Sequence, residues 1–244
     1  MIARSVQVTH VLAPNPGPMT LEGTNTWVLA APGGRSVVLD CGPALTGHLD
    51  AVIDAATAGG REIGAVLVTH GHLDHAEGLP MLAARTGVAL SPVGEGDVVR
   101  VDGLALQVLA TPGHTSDSVT FLDADDGTLY TGDTLLGRGT TVVAHPDGRL
   151  ADYLASLARL AGVDAARIRP GHGPVVTDVA GWIAYYRSHR EQRLAQVRAA
   201  LAAGADSAEQ VVEQVYADVD PVLWPAATLS VRAQLDYLRG HGTT

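Results

Sequence analysis

The stretch Val66-Leu67-Val68-Thr69-His70-Gly71-His72-Leu73-Asp74-His75 constrains this chain more than any other. His70, His72, Asp74 and His75 fall within six residues. They follow an apolar run that reads as a buried strand and precede a helical pattern over 76–85. The cluster therefore belongs on the turn leaving a strand's C-terminal end, where open α/β sheets place their ligands. Imidazoles and a carboxylate converging on one turn make a nitrogen and oxygen site for a divalent metal.

Three later loops repeat the pattern of a strand followed by a candidate donor. Residues 106–110 lead to Thr111-Pro112-Gly113-His114, 129–131 to Gly132-Asp133, and 168–170 to Gly171-His172. Glycine beside each donor permits a sharp turn and a close backbone approach. A lone Gly-His or Gly-Asp is an ordinary turn; the series, after the first cluster, is what carries weight.

Short β-rich runs at 5–12, 25–30, 36–40, 65–69, 97–101, 104–109, 118–122, 128–131 and 167–169 read as strands. Residues 46–58, 76–85 and 150–160 have helical spacing. The texture changes near residue 179. Helices are expected over 182–203, from the capping box Ser207-x-x-Gln210 through 215, and over 221–239. The expected domains are thus an α/β catalytic domain over 1–179 and a helical domain over 180–244.

Together these residues resemble the metallo-β-lactamase superfamily. The resemblance implies an αββα sandwich with one or two metals along one edge. It implies that His70, His72 and His114 hold one ion, that Asp74, His75 and His172 hold a second, and that Asp133 bridges them. Asp40, ending the strand over 36–40, matches the acid that supports the ligands from behind by orienting an imidazole. The segment Asn15 to Thr26, the segment Leu136 to Thr141, and His189-Arg190-Glu191 resemble the β-lactamase-like protein 2 group. That group adds a small winged-helix-like domain after the core.

The implied chemistry is hydrolysis, with paired divalent ions sharing a water and lowering its pKa toward about 7. Asp74 would orient that water or accept its proton. Zinc suits the histidine-rich, thiol-free set; iron or manganese would also be tolerated. The favoured substrate is a small ester, thioester or lactone. An endoribonuclease acting on single-stranded RNA is the alternative that the second resemblance implies, and a non-hydrolytic binding protein is a third. Arg138 and Thr140, just after the bridging acid, are candidates to line a substrate cleft.

Charge bears on the RNA reading. The formal net charge is −10, and all sixteen basic residues are arginine. A net acidic chain grips phosphates poorly. From residue 180 onward six arginines face seven acids, so Arg187, Arg190, Arg193 and Arg198 are expected on a solvated face. His10, His48, His145, His189 and His241 lack donor-like neighbours and are expected to be structural or surface residues. Cys41 is the sole cysteine, so no intrachain disulfide can form. No apolar run approaches the ~18 residues of a membrane span and no secretory signal is visible, which makes the cytoplasm the expected compartment.

Overall fold

The computed structural model describes residues 6–240, which divide into two units. The first comprises residues 6–110, 117–139 and 164–177; the second comprises 111–116, 140–163 and 178–240.

Two sheets form the first unit. One has the order β1 (Gln7–Leu12), β2 (Asn25–Ala30), β3 (Ser36–Leu39), β4 (Ile63–Leu67). The other has the order β5 (Val98–Val101), β6 (Leu104–Ala110), β7 (Val119–Asp123), β8 (Thr128–Gly132), β9 (Arg167–Pro170). Each sheet is antiparallel until its last pair, and β3–β4 and β8–β9 run parallel. Edge strand β1 has only exposed and half-buried residues, whereas the whole of β2 is buried. Trp27, Leu29, Leu39 and Leu67 of the first sheet pack with Leu106, Val108, Phe121 and Tyr130 of the second. Burial of each large apolar side chain there contributes roughly 1.5–3 kcal/mol.

The outer face of the first sheet is covered by α1 (Thr46–Thr57) and α3 (Leu79–Thr86), with Leu49, Val52 and Leu82 against Val28, Val38 and Val66. The helix expected over 76–85 is in fact two. A four-residue helix α2 (Leu73–Ala76) carries Asp74 and His75, and α3 begins anew. Pro80 has no N–H to continue the ladder. Gly78 instead donates its N–H to Gly42 O at 3.0 Å, where an added Cβ would lie 2.9 Å from Leu49 Cδ2.

The second unit is helical: α4 (Leu150–Ala161), α5 (Val179–Ala202), α6 (Ala208–Val215) and α7 (Trp224–Gly240). Asp178 caps α5 by accepting from Gly181 N, and Ser207 caps α6 by accepting from Gln210 N. Gln210 Oε1 reaches back to Asp206 N at 3.1 Å, one residue beyond the N-cap N–H that a full capping box would bind. Arg190 departs from expectation. It is 3% exposed, donates to Thr141 O and lies over the Tyr153 ring, because a guanidinium can be buried where a carbonyl and an aromatic face receive it. Arg193 similarly covers Tyr216 at 4.3 Å and donates to Val215 O. Among the described residues no helix is long and apolar enough to cross a membrane.

Candidate metal centre

Parallel pairing brings the donor-bearing strand ends together. Leu39 pairs with Leu67, so Asp40 stands beside the start of the histidine loop. Gly132 pairs with Pro170, so Asp133 stands beside Gly171 and His172. Asp40 has φ of +54° and spends its whole carboxylate on this loop. Its Oδ1 accepts from Thr69 N at 2.7 Å; its Oδ2 accepts from Thr69 Oγ1 at 2.8 Å and from His75 Nδ1 at 2.9 Å. Beyond Thr69 the chain turns to place His70 Nε2 3.0 Å from His72 Nδ1. Leu73, between His72 and Asp74, is 70% exposed.

Asp74, His75, Asp133 and His172 meet at one point. His75 Nε2 lies 3.3 Å from His172 Nε2, 3.4 Å from Asp74 Oδ2 and 3.4 Å from Asp133 Oδ1. His172 Nε2 lies 3.2 Å from the same Asp74 oxygen and 3.3 Å from the same Asp133 oxygen. Tetrahedral donors about 2.0–2.1 Å from an ion stand about 3.3–3.4 Å from one another, so these side chains fit a metal as they are. Gly171 makes the approach possible, since a Cβ there would lie 2.6 Å from both Asp133 Oδ1 and His75 Cε1.

The hydrogen bonds behind the rings fix which nitrogen faces inward. His172 Nδ1 is 3.1 Å from Gly23 O, and a carbonyl only accepts, so that nitrogen carries the proton. The carboxylate of Asp40 imposes the same choice on His75. Both Nε2 atoms therefore offer lone pairs to the centre unless a further proton binds. Charges agree with that geometry. Burial opposes charge on His172, yet Asp133 outweighs it and holds the imidazole up at about 10. His75 is likewise raised against its burial by Asp133 and Asp40. Burial would raise Asp74 and Asp133, but the two imidazoles bring Asp74 down to about 2 and Asp133 well below the carboxylate range. Four groups that each favour positive charge at their meeting point could hold a cation there in place of protons. Groups able to hold an ion include His70 with His75 and Asp133, and Asp74 with His75 and His172.

His114 belongs to the second unit, four residues past β6. Its Nδ1 is 2.7 Å from Val142 O, an acceptor that leaves Nε2 as the donor nitrogen for an ion. Thr140 is a half-buried residue of that unit. Arg138, in the first unit, is 59% exposed and pairs with Glu22 at 2.7 Å. Of the remaining histidines, His10 stacks on Trp27 and bonds Asn25 Oδ1 at 2.7 Å, and His145 pairs with Asp236 at 2.8 Å. His48 is buried beside Thr26 Oγ1, His189 is half-buried on α5, and His241 lies outside the described residues. Sequence reasoning missed the residues behind the donors: Gly23, Thr69, Thr24 and Asn25. Asn25 Nδ2 pins the His172 loop through Pro170 O at 3.0 Å and Gly173 O at 2.9 Å. A signal was present, since Thr24-Asn25-Thr26 places polar residues in an otherwise apolar buried run.

Residues 19–97 and 89–172 match the model of the metallo-β-lactamase superfamily, and 207–243 match the β-lactamase-associated winged helix domain. The β-lactamase-like protein 2 homolog of Drosophila melanogaster is 32% identical, covering 96% of this chain and 88% of its own. The atrochrysone carboxyl ACP thioesterase of a Cryptosporiopsis species is 31% identical, covering 81% of this chain and 63% of its own. A β-lactamase domain protein from Burkholderia ambifaria has the same fold, with a TM-score of 0.80 at 24% identity over 99% of this chain and 89% of that one. With the family model matched from residue 19 to 172 and the donors gathered at the ends of two parallel strand pairs, the chain belongs to the metallo-β-lactamase superfamily.

Proposed function

We propose that the protein is a metal-dependent hydrolase of a small ester, thioester or lactone. The observation that carries this reading is the quartet Asp74, His75, Asp133, His172, with donor atoms 3.2–3.4 Å apart. In this reading His70, His72 and His114 hold one divalent ion, Asp74, His75 and His172 hold a second, and Asp133 lies between them. Zinc is the proposed metal, because the set combines imidazole and carboxylate with no thiolate. When bound, such ions supply Lewis acidity and a water of lowered pKa.

The chain's own residues supply the rest. Asp40 and Gly23 O hold the two inward-facing rings in one tautomer, so neither must reorganise during turnover. Asp74 orients an attacking water through a hydrogen bond. Leu73 offers an exposed apolar side chain between two donors, suited to the carbon skeleton of an acyl substrate. The relative named as an acyl-carrier-protein thioesterase supports thioester chemistry. Net charge of −10 weighs against a polyanionic substrate.

Metal per chain and turnover of an ester, thioester and lactone panel test the reading, with a labelled unstructured RNA as comparator. Chelator-sensitive turnover of the acyl panel, lost in Asp74→Ala, is expected. RNA cleavage with no acyl turnover would replace the substrate class. Protein that binds none of zinc, iron or manganese would remove the reading altogether.

A further inference from the structure

Within the donor quartet Asp74 is the least enclosed. Its side chain is 27% exposed, against 0% for His75 and 1% for His172. It is carried on a four-residue helix, too short to fix a side chain by its own packing. One hydrogen bond outside the quartet holds it: Thr24 Oγ1 lies 3.1 Å from Asp74 Oδ2. Thr24 itself is fully buried and held by Asn15 on both sides of its own backbone and hydroxyl. Thr24 N donates to Asn15 Oδ1 at 2.9 Å, and Asn15 Nδ2 donates to Thr24 Oγ1 at 3.0 Å.

The directions of these bonds follow from chemistry. A backbone N–H can only donate, so the Asn15 atom facing it is the carbonyl oxygen, which leaves the NH2 facing the hydroxyl. An NH2 can only donate, so it occupies a lone pair of Oγ1. The single proton of that hydroxyl is then free for one acceptor, the Asp74 carboxylate. Hydroxyl polarity is thus imposed by Asn15, nine residues away, and delivered to a carboxylate fifty residues on.

We propose that Thr24, polarised by Asn15, is a positioning residue that sets the Asp74 carboxylate for the ion held by Asp74, His75 and His172, and governs occupancy of that position. The inference rests on the metal reading above and goes beyond it by assigning one ion's retention to a hydroxyl that touches no metal. Its acceptor is a carboxylate, so the bond is charge-assisted. Loss of such an outer partner typically weakens metal affinity about 10- to 100-fold.

The test is a competition titration of zinc against a chelator of known affinity, with metal per chain measured after dialysis, on the full chain and three variants. Thr24→Val keeps the shape and removes the hydroxyl. Thr24→Ser restores it. Asn15→Asp keeps an acceptor for Thr24 N but turns the donor facing the hydroxyl into an acceptor, drawing the proton away from Asp74. Two equivalents in the wild type are expected, with one weakened about 10- to 100-fold in Thr24→Val and Asn15→Asp and near wild type in Thr24→Ser. Equal retention in all four proteins would overturn the proposal. Equal weakening in Thr24→Ser and Thr24→Val would also overturn it, since packing would then be the cause. If thermal melts show Thr24→Val unfolded, Asn15→Asp decides. A wild type that binds no zinc defeats the metal reading itself, an outcome distinct from wild-type binding that the variants share.

Discussion

Strands β8 and β9 pass through two buried polar regions that are built on opposite principles. At their C-terminal ends Asp133 and His172 face each other with Asp74 and His75, and each imidazole is held from behind by an acceptor. Further back, Tyr130 and Arg169 pair across the same two strands, with Asp123 at the end of β7. There Asp123 Oδ2, the Tyr130 hydroxyl, and Arg169 Nε and Nη1 are buried with no hydrogen-bond partner among the protein groups. Titration behaviour separates the two. Burial, reinforced by neighbouring carboxylates, raises Asp123 and Tyr130, so that region resists ionisation. In the first region paired charges outweigh the same burial and lower Asp133. Burial of polar groups is therefore no sign of function by itself. Convergent lone pairs with their outer atoms fixed are the distinguishing arrangement.

The largest expected effect would break the comparison outright. His172→Ala or Asp133→Ala should lower metal-dependent turnover by more than about 100-fold, beyond the effect of losing an outer partner, while circular dichroism still reports the fold. Retained turnover in either would put the two regions on an equal footing. Next is Asp40→Asn, which keeps the size but weakens the hold on His75 Nδ1 and Thr69. Zinc affinity by chelator competition should fall about 10- to 100-fold.

A pH comparison sharpens the contrast. Asp123 has a raised folded-state pKa, so its favourable contribution exists at low pH, while it is protonated, and is lost as pH rises through the folded value. Asp123→Asn should therefore gain on the wild type in urea unfolding as pH climbs from 3 to 7. In chelator-treated protein Asp74 behaves oppositely: its contribution is present above the ordinary carboxylate value and lost as pH falls through about 2. Asp74→Asn should then show its deficit at neutral pH and lose it in strong acid. The smallest effect is Tyr130→Phe, which deletes a buried hydroxyl without a protein partner. Stability should change by less than about 1 kcal/mol, toward stabilisation, with turnover unaltered. A loss of several times that would show the hydroxyl to be engaged.

The donors were legible in sequence because each donor-bearing loop follows a short apolar strand and carries a glycine beside at least one donor, a local pattern. Strand positions followed for the same reason, within a residue or two at most ends. What lay hidden was set by contacts distant in the chain. The break between α2 and α3 depends on Gly78 meeting Gly42 and Leu49. The role of Thr24 depends on a partner fifty residues on, and the burial of Arg190 on Thr141 and Tyr153. Arg138 was a candidate to line a cleft; the pair it makes with Glu22 was likewise invisible in sequence, lying more than a hundred residues away.

Because parallel neighbours require long crossovers, the strand ends that meet at the quartet are remote along the chain: His75 and His172 are 97 residues apart. An ion gripped by both would close a loop of that length, as a disulfide does, and long closures restrict the unfolded chain most. Chelation should then act on this protein as reduction acts on a cross-linked one. It would remove a fastener between the sheets along with the chemistry, and proteolysis of stripped protein would reveal it as faster cleavage.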